Sequence, residues 1–286
     1  MAPRNIPPLT TQEFSLFRQF VEAESGISLG DDKQYLLESR LKGLMADMHC
    51  TGYGELYRLI KEDKRGHVRQ KLIDAITTNE TLWFRDKAPF IILEEFFLPA
   101  MVERIRNGKF RVRIWSAACS TGQEPYSLAI VIHNFLQRLG DAKITPQQFE
   151  IIATDISKEA LGVAKMGAYD KFSMERGMDR SNIDRYFKQK QRFWIINPIL
   201  KKMIDFRQFN LLGKFSELGT FDMVLCRNVA IYFSHETKIK LYDKIRQVLK
   251  PQGLFVLGST ESMTFYTQAF KSKEFKSNIY YEAVDS

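Results

Sequence analysis

The chain has 286 residues, a formal net charge of +8 and a hydrophobic fraction of 44% that includes 22 Phe and 11 Tyr. That apolar content excludes a globally disordered chain, and the length allows a main domain with a smaller one beside it. Acids interrupt the positive charge, as in Lys61-Glu62-Asp63-Lys64-Arg65, so it reads as solvated surface and no nucleic-acid partner is expected.

Cys50, Cys119 and Cys226 are widely spaced, which suggests a reducing compartment without a disulfide framework. The last two fall at predicted strand ends and read as small, buried and inert rather than nucleophilic. His49, His67, His133 and His235 form no metal-ligand spacing, so no metal is expected. No apolar run reaches the roughly 18 residues needed to span a bilayer. The N-terminus, with Pro7 and Pro8 and no apolar core segment, lacks the form of a secretory signal. A soluble, cytoplasmic and monomeric protein is expected, with no exposed heptad to pair copies.

Residues 1–88 read as a helical domain. Thr10 or Thr11 caps a helix whose Phe14, Phe17, Phe20 and Val21 recur at helical spacing. Tyr35, Leu36, Leu37, Leu41, Leu44 and Met45 form a second amphipathic set, with Arg40 and Lys42 on or near its polar side. Leu56, Leu59 and Ile60 give a third helix. Val68, Leu72, Ile73 and Ile76 give a fourth, ending near Thr77-Thr78-Asn79.

Residues 89–286 form the second predicted domain. From Phe110 onward strands alternate with helices, the mark of an α/β fold with a parallel sheet. Strands are predicted at 111–115, 150–155, about 204–210, 221–226 and 254–258, with helices over 125–139, 158–165 and 235–249. Pro251-Gln252-Gly253 reads as the turn back into the sheet, and 277–284 as an added edge strand. Residues from about 172 to 203 break the rhythm. Short strands at 186–188, 192–196 and 199–203 suggest a small antiparallel β insertion that serves a partner, since the sheet does not need it.

The most informative stretch is Trp115-Ser116-Ala117-Ala118-Cys119-Ser120-Thr121-Gly122-Gln123-Glu124-Pro125-Tyr126-Ser127. An apolar run stops in small residues and a helical pattern starts at once. That is a strand, a tight turn and a helix N-terminus, where doubly wound proteins hold a nucleotide-like ligand. A second run, Phe149 to Thr154, ends in Asp155, and an acid at that strand tip is placed to bond ribose hydroxyls.

Three further stretches join these two: 77–85 (Thr-Thr-Asn-Glu-Thr-Leu-Trp-Phe-Arg), Phe209-Asn210-Leu211-Leu212, and 221–233, which contains Cys-Arg-Asn-Val-Ala-Ile-Tyr-Phe. In this order and spacing the chain resembles the CheR-type chemotaxis receptor methyltransferases over nearly its whole length. The resemblance implies a Rossmann-like class I S-adenosylmethionine methyltransferase domain, a β insertion and a small all-α N-terminal domain. It implies methyl transfer from S-adenosylmethionine to glutamate side chains of chemoreceptor cytoplasmic domains, leaving S-adenosylhomocysteine.

Carried over by position, the resemblance implies cofactor contacts from Asn79, Thr81, Arg85, Glu124, Asp155, Asn210, Leu211, Arg227 and Asn228, with Tyr232 beside the transferring methyl. The residue types suit the chemistry. Asp155 is a two-acceptor anion for the ribose; Glu124 accepts from a cofactor hydroxyl or amine. Arg85 offers a fork to the cofactor carboxylate or the substrate glutamate. Asn210 and Asn228 combine donor and acceptor for an adenine or an amine. Tyr232 and Arg85 are read as catalytic by positioning rather than by carrying protons.

The chain departs from the family pattern in three places. Gln123 stands where an acid is usual. The helix around Arg40 keeps only Arg40 and Lys42 of an arginine-rich receptor-facing side, with Asp47 nearby. The link Lys188-Gln189-Lys190-Gln191-Arg192 is short and without glycine, from which independence of a receptor-tail tether is expected. Two other readings are a non-catalytic S-adenosylmethionine-binding signalling module and a methyltransferase acting on another acceptor. No Asn/Asp-Pro-Pro-aromatic motif for base amines is present.

Overall fold

The computed structural model describes residues 7–108 and 111–284; Phe110, where the sequence pattern changes, lies outside them. In chain order the helical part comprises α1 (Thr11–Ser25), α2 (Gln34–Asp47), α3 (Tyr53–Glu62) and α4 (His67–Ile76). After α5 (Ala88–Ile91) and α6 (Leu98–Arg106) come β1 (Val112–Ala117), α7 (Gln123–Leu139), β2 (Phe149–Asp155), α8 (Lys158–Met166) and β3 (Ala168–Asp170). Then follow α9 (Lys171–Glu175), α10 (Arg180–Tyr186), β4 (Phe187–Lys190), β5 (Phe193–Ile196), α11 (Pro198–Lys201) and β6 (Ile204–Gln208). The chain closes with β7 (Phe221–Cys226), α12 (His235–Val248), β8 (Leu249–Val256), β9 (Phe270–Phe275) and β10 (Asn278–Ala283).

Thr10 is the residue that starts α1: its hydroxyl accepts the Glu13 N–H at 3.2 Å, and the Glu13 carboxylate accepts the Thr10 N–H at 3.0 Å. Phe14, Phe17 and Val21 of α1 pack with Leu37, Leu41, Tyr53, Leu56, Leu72 and Ile76 in a core of their own. Trp83 belongs instead to the core beneath the sheet, so core membership changes between Ile76 and Trp83.

Arg40 does not face outward with Lys42. Its guanidinium turns onto the end of α4, donating to the carbonyls of Ala75 at 3.2 Å, Ile76, and Thr77 at 2.9 Å, and to the Thr78 hydroxyl at 3.0 Å. Carbonyls left open at a helix C-terminus take a cation well. Lys42 pairs with Glu38 at 2.7 Å.

Seven strands form the main sheet in the order β6-β2-β1-β7-β8-β10-β9, the first five mutually parallel and the last two antiparallel. The chain moves outward from β1 through β2 to β6, then returns to the far side of β1 with β7. This is the topological switch point at which doubly wound sheets open a crevice. Alternate residues serve the two faces: Ile114, Ile151 and Leu225 pack in the core that includes α7, Trp115, Ile152 and Val224 in the core that includes α12. Among the described residues, no helix is long and apolar enough to cross a membrane.

Four expectations are corrected. The strand at 277–284 is not at the edge: β10 pairs with both β8 and β9, and β9 takes the edge. Lys271 and Lys273 lie exposed there, as suits an open edge, and they hid the strand from an apolar pattern. Pro251-Gln252-Gly253 lies inside β8 as a bulge: β7 advances from Phe221 to Met223 while β8 advances from Leu249 to Leu254. Residues 199–203 are not a strand, because Asn197 caps the short α11 by accepting the Ile199 N–H at 3.0 Å. The third strand of the insertion is β3, which precedes residue 172 and pairs Tyr169 with Trp194. The helical run from Ala88 to Arg106, unread in the sequence, widens into a π turn at Ile92–Phe97 just before Pro99, whose missing N–H cannot continue the ladder.

Candidate active site

The C-terminal ends of β1, β2 and β7 converge on a cavity enclosing about 950 Å³ out to its open mouth. After β1 the backbone turns left-handed at Ala118 (φ 61°) and Ser120 (φ 50°), non-glycine conformations that persist only where the surroundings hold them. What holds them is adjacent: the Cys119 N–H donates to the Thr154 carbonyl at 2.8 Å, and the Ser120 N–H to Asp155 Oδ2 at 2.7 Å. The other Asp155 oxygen accepts the Ser157 N–H at 2.9 Å. Burial pushes the Asp155 carboxyl up, and these N–H donors offset that only in part.

The loop delivers the N-terminus of α7, whose first turn carries Glu124. One Glu124 oxygen accepts the Ser116 hydroxyl at 2.6 Å, and the other accepts from the Arg227 guanidinium at 2.6 Å. Arg227 is 2% exposed and donates on its other side to Asp86 at 2.9 Å and to the Arg85 carbonyl at 2.6 Å. Burial raises the Asp86 carboxyl, but the Ser259 N–H and the Arg227 guanidinium outweigh it and hold Asp86 below the usual carboxylate range. One buried cation thus ties β7, α7 and the segment before α5 together.

The segment 77–85 forms a second wall. The Asn79 carbonyl accepts the Ser120 hydroxyl at 2.9 Å, and Arg85 donates to the Glu80 carbonyl at 3.2 Å. Glu80 pairs with Arg176 of the insertion, and the Trp83 N–H donates to the Arg176 carbonyl at 3.0 Å. On the third wall, Asn210 donates to the Glu24 carbonyl at 2.7 Å and accepts the Leu212 N–H at 2.9 Å. Tyr232 sits in a short helical turn after β7, where its carbonyl accepts the Ser28 N–H at 2.8 Å and Phe233 bridges to Ile27.

Asn79, Thr81, Arg85, Glu124, Asp155, Asn210, Leu211, Arg227, Asn228 and Tyr232 all line this one cavity. The sequence did not foresee that Glu124 and Arg227 bind each other, nor that both hydrogen-bonding ends of Asn210 are engaged within the protein. Ser25, Ile27, Thr77 and Thr78 of the helical part also line it and went unread, as did the anchors Ser116, Asp86 and Glu261. Burial pushes the thiols of Cys119 and Cys226 well up, which suits packing rather than nucleophilic attack.

Counted in order of appearance, the strands of the main sheet run 3-2-1-4-5-7-6, with the final strand inserted antiparallel beside the fifth. A sheet of that order, with its crevice at the ends of the first, second and fourth strands, defines a Rossmann-like methyltransferase domain. Here it carries a three-stranded antiparallel insertion and follows an all-α unit. Residues 79–279 match the family described as CheR methyltransferase, SAM binding domain, and residues 12–77 match CheR methyltransferase, all-alpha domain. The chain is 44% identical to chemotaxis protein methyltransferase 1 of Pseudomonas aeruginosa, covering 95% of this chain and 97% of that one. It is 41% identical to chemotaxis protein methyltransferase Cher2 of Pseudomonas putida (95% and 98%) and 38% identical to a chemotaxis protein methyltransferase of Vibrio anguillarum (96% and 98%). The chain belongs to the CheR methyltransferase family, and it is an S-adenosylmethionine-dependent methyltransferase of chemotaxis.

Proposed function

We propose that the protein methylates glutamate side chains of chemoreceptor cytoplasmic domains, giving glutamyl methyl esters. The observation that carries this reading is the convergence of the ten motif residues on one cavity at the switch point of the sheet.

The residues fit the methyl donor. Each Asp155 oxygen accepts one N–H and keeps a second acceptor site, which suits the two ribose hydroxyls. Glu124 and Asp155 give the cavity acidic walls that suit a cofactor carrying a sulfonium and an ammonium group. Asn79, Thr81, Leu211 and Asn228 complete the binding surface in this assignment. Arg227, held by Glu124 and Asp86, acts from below by fixing the Glu124 carboxylate.

When bound, S-adenosylmethionine supplies an electrophilic methyl carbon, which a carboxylate oxygen takes up as the bond to sulfur breaks. An ordinary glutamate has a pKa near 4.3 and is already ionised at neutral pH, so the protein needs no general base. Its task is alignment and exclusion of water, worth roughly 7–11 kcal/mol where geometry is good. Tyr232 and Arg85 are assigned that task, Arg85 with its guanidinium at the cavity and Tyr232 pinned through its carbonyl. We assign no receptor-tail tether to the insertion, since β4 and β5 are joined by Gln191 and Arg192 alone. Tight binding of a receptor C-terminal peptide, lost on mutating that turn, would overturn this assignment.

The test is transfer of label from methyl-labelled S-adenosylmethionine to purified chemoreceptor cytoplasmic domains, followed by mild alkali. Label that appears on the receptor and leaves as methanol marks a carboxyl methyl ester and supports the reading. Cofactor binding without transfer to any receptor tested sinks it.

A further inference from the structure

Glu261 lies just past β8, outside the residues assigned to cofactor or acceptor. Its Oε2 accepts the backbone N–H of Asn228 at 2.5 Å and that of Gly258 at 2.9 Å, and the Ile231 N–H bonds to the same carboxylate. Its Oε1 is buried and has no hydrogen-bond partner among the described residues, and the same holds for Nε of the neighbouring Arg227. A carboxylate enclosed this way, with backbone donors rather than a direct ion pair, is a costly choice for a loop anchor. The segment it grips explains the choice.

Asn228 adopts φ 56°, a left-handed conformation, and the chain then turns through Ala230–Tyr232. Asn228, Val229 and Tyr232 line the cavity from this turn. The end of β8 approaches it closely: a Cβ on Gly258 would stand 2.7 Å from Asn228 Nδ2 and 2.7 Å from Glu261 Oε2. The turn has few other fastenings, among them the Ser28 bond to the Tyr232 carbonyl.

We infer that Glu261 is a positioning residue for methyl transfer, whose carboxylate staples the 228–232 turn to the end of β8 and so sets where Asn228 and Tyr232 meet the reacting groups. The inference rests on the proposed function for its catalytic meaning and on the geometry alone for the staple. Asp155, Asn79, Thr81 and Glu124 stand on other elements, so loosening the turn disturbs alignment more than cofactor capture.

The experiment compares Glu261→Ala and Glu261→Gln with the wild type in receptor methylation, S-adenosylhomocysteine affinity and thermal melting. Amide hydrogen exchange is read on the wild-type protein. Glu261→Ala is expected to lower kcat about tenfold or more while cofactor affinity changes less than about threefold. Glu261→Gln, which keeps an accepting oxygen, recovers most of the loss. A folded Glu261→Ala with wild-type kcat, or one in which affinity and kcat fall together, overturns the inference. The Asn228 and Gly258 amides are expected to exchange slowly although both lie outside the strands. Fast exchange overturns the staple even where a variant fails to fold. A wild-type protein that methylates no receptor instead defeats the proposed function, and slow exchange would still support the staple.

Discussion

The side-chain amide of Asn210 donates to the backbone carbonyl of Glu24 at 2.7 Å, joining the loop after β6 to the last turn of α1. The helical part therefore builds one wall of the cavity. Replacing Asn210 by Ala removes this bond and the one to the Leu212 N–H, at a cost of about 1–3 kcal/mol for two part-buried bonds. Calorimetry should find a lower melting temperature and weaker S-adenosylhomocysteine binding; unchanged affinity would mean that the wall forms without it.

The Asp155 carboxyl is displaced upward by burial, beyond what the Ser157 and Ser120 N–H groups restore. Only the ionised form offers both oxygens to hydroxyl donors. Cofactor affinity should therefore weaken on acidification, beginning above the pH near 3.9 at which an ordinary aspartate titrates. Titrations of wild type and Asp155→Asn across pH 4–8 (about the accessible range) check this. The variant should bind more weakly at neutral pH and lose that pH dependence.

Gly177 has φ 97°, and a Cβ there would meet the Trp83 carbonyl oxygen at 2.2 Å. Neither the backbone nor the contact accommodates a side chain. Gly177→Ala should cost about 1–3 kcal/mol and displace the insertion from the 77–85 wall. A melting temperature equal to wild type would show that the contact relaxes freely.

Arg40 is predicted to act inside the protein. Arg40→Ala uncovers the carbonyls at the end of α4 and loosens Thr77 and Thr78, which line the cavity. Melting should fall by an amount corresponding to about 1–2 kcal/mol, with weaker cofactor binding, and Arg40→Lys should restore little, since a lysine cannot span four acceptors. A variant with intact cofactor affinity but impaired receptor binding would return Arg40 to a docking role.

Tyr232→Phe separates the ring from its hydroxyl. If the hydroxyl aligns the acceptor, kcat drops more than about tenfold while cofactor affinity holds. A smaller loss leaves the ring as the part that matters.

The cofactor loop was legible because its chemistry is local: small residues at a strand end, an immediate helix start, and Asp155 at the next strand tip. Thr10 was legible for the same reason, a hydroxyl three residues ahead of Glu13. The anchors were not legible. Glu261 works through N–H groups of Asn228 and Gly258, and backbone groups leave no trace in residue identity. The Glu124–Arg227 pair bridges 103 residues. Each partner alone reads as a ligand for something else, and only the fold reveals that they satisfy each other. Strand β9 was missed because an exposed edge selects charge over apolar alternation, and residues 199–203 because Asn197 and Pro198 outweigh the apolar run that follows.

The pairing of Ile27 with Phe233 and the bond from Ser28 to Tyr232 bear on how such a protein can be recombined. A chimera that exchanged the α-helical unit between two relatives would cut through these contacts as well as the Glu24–Asn210 bond. A hybrid keeping the end of α1, the 210–212 loop and the 228–233 turn from a single parent would leave the seam intact. The modular boundary visible in the sequence is thus not the boundary along which this enzyme can be taken apart.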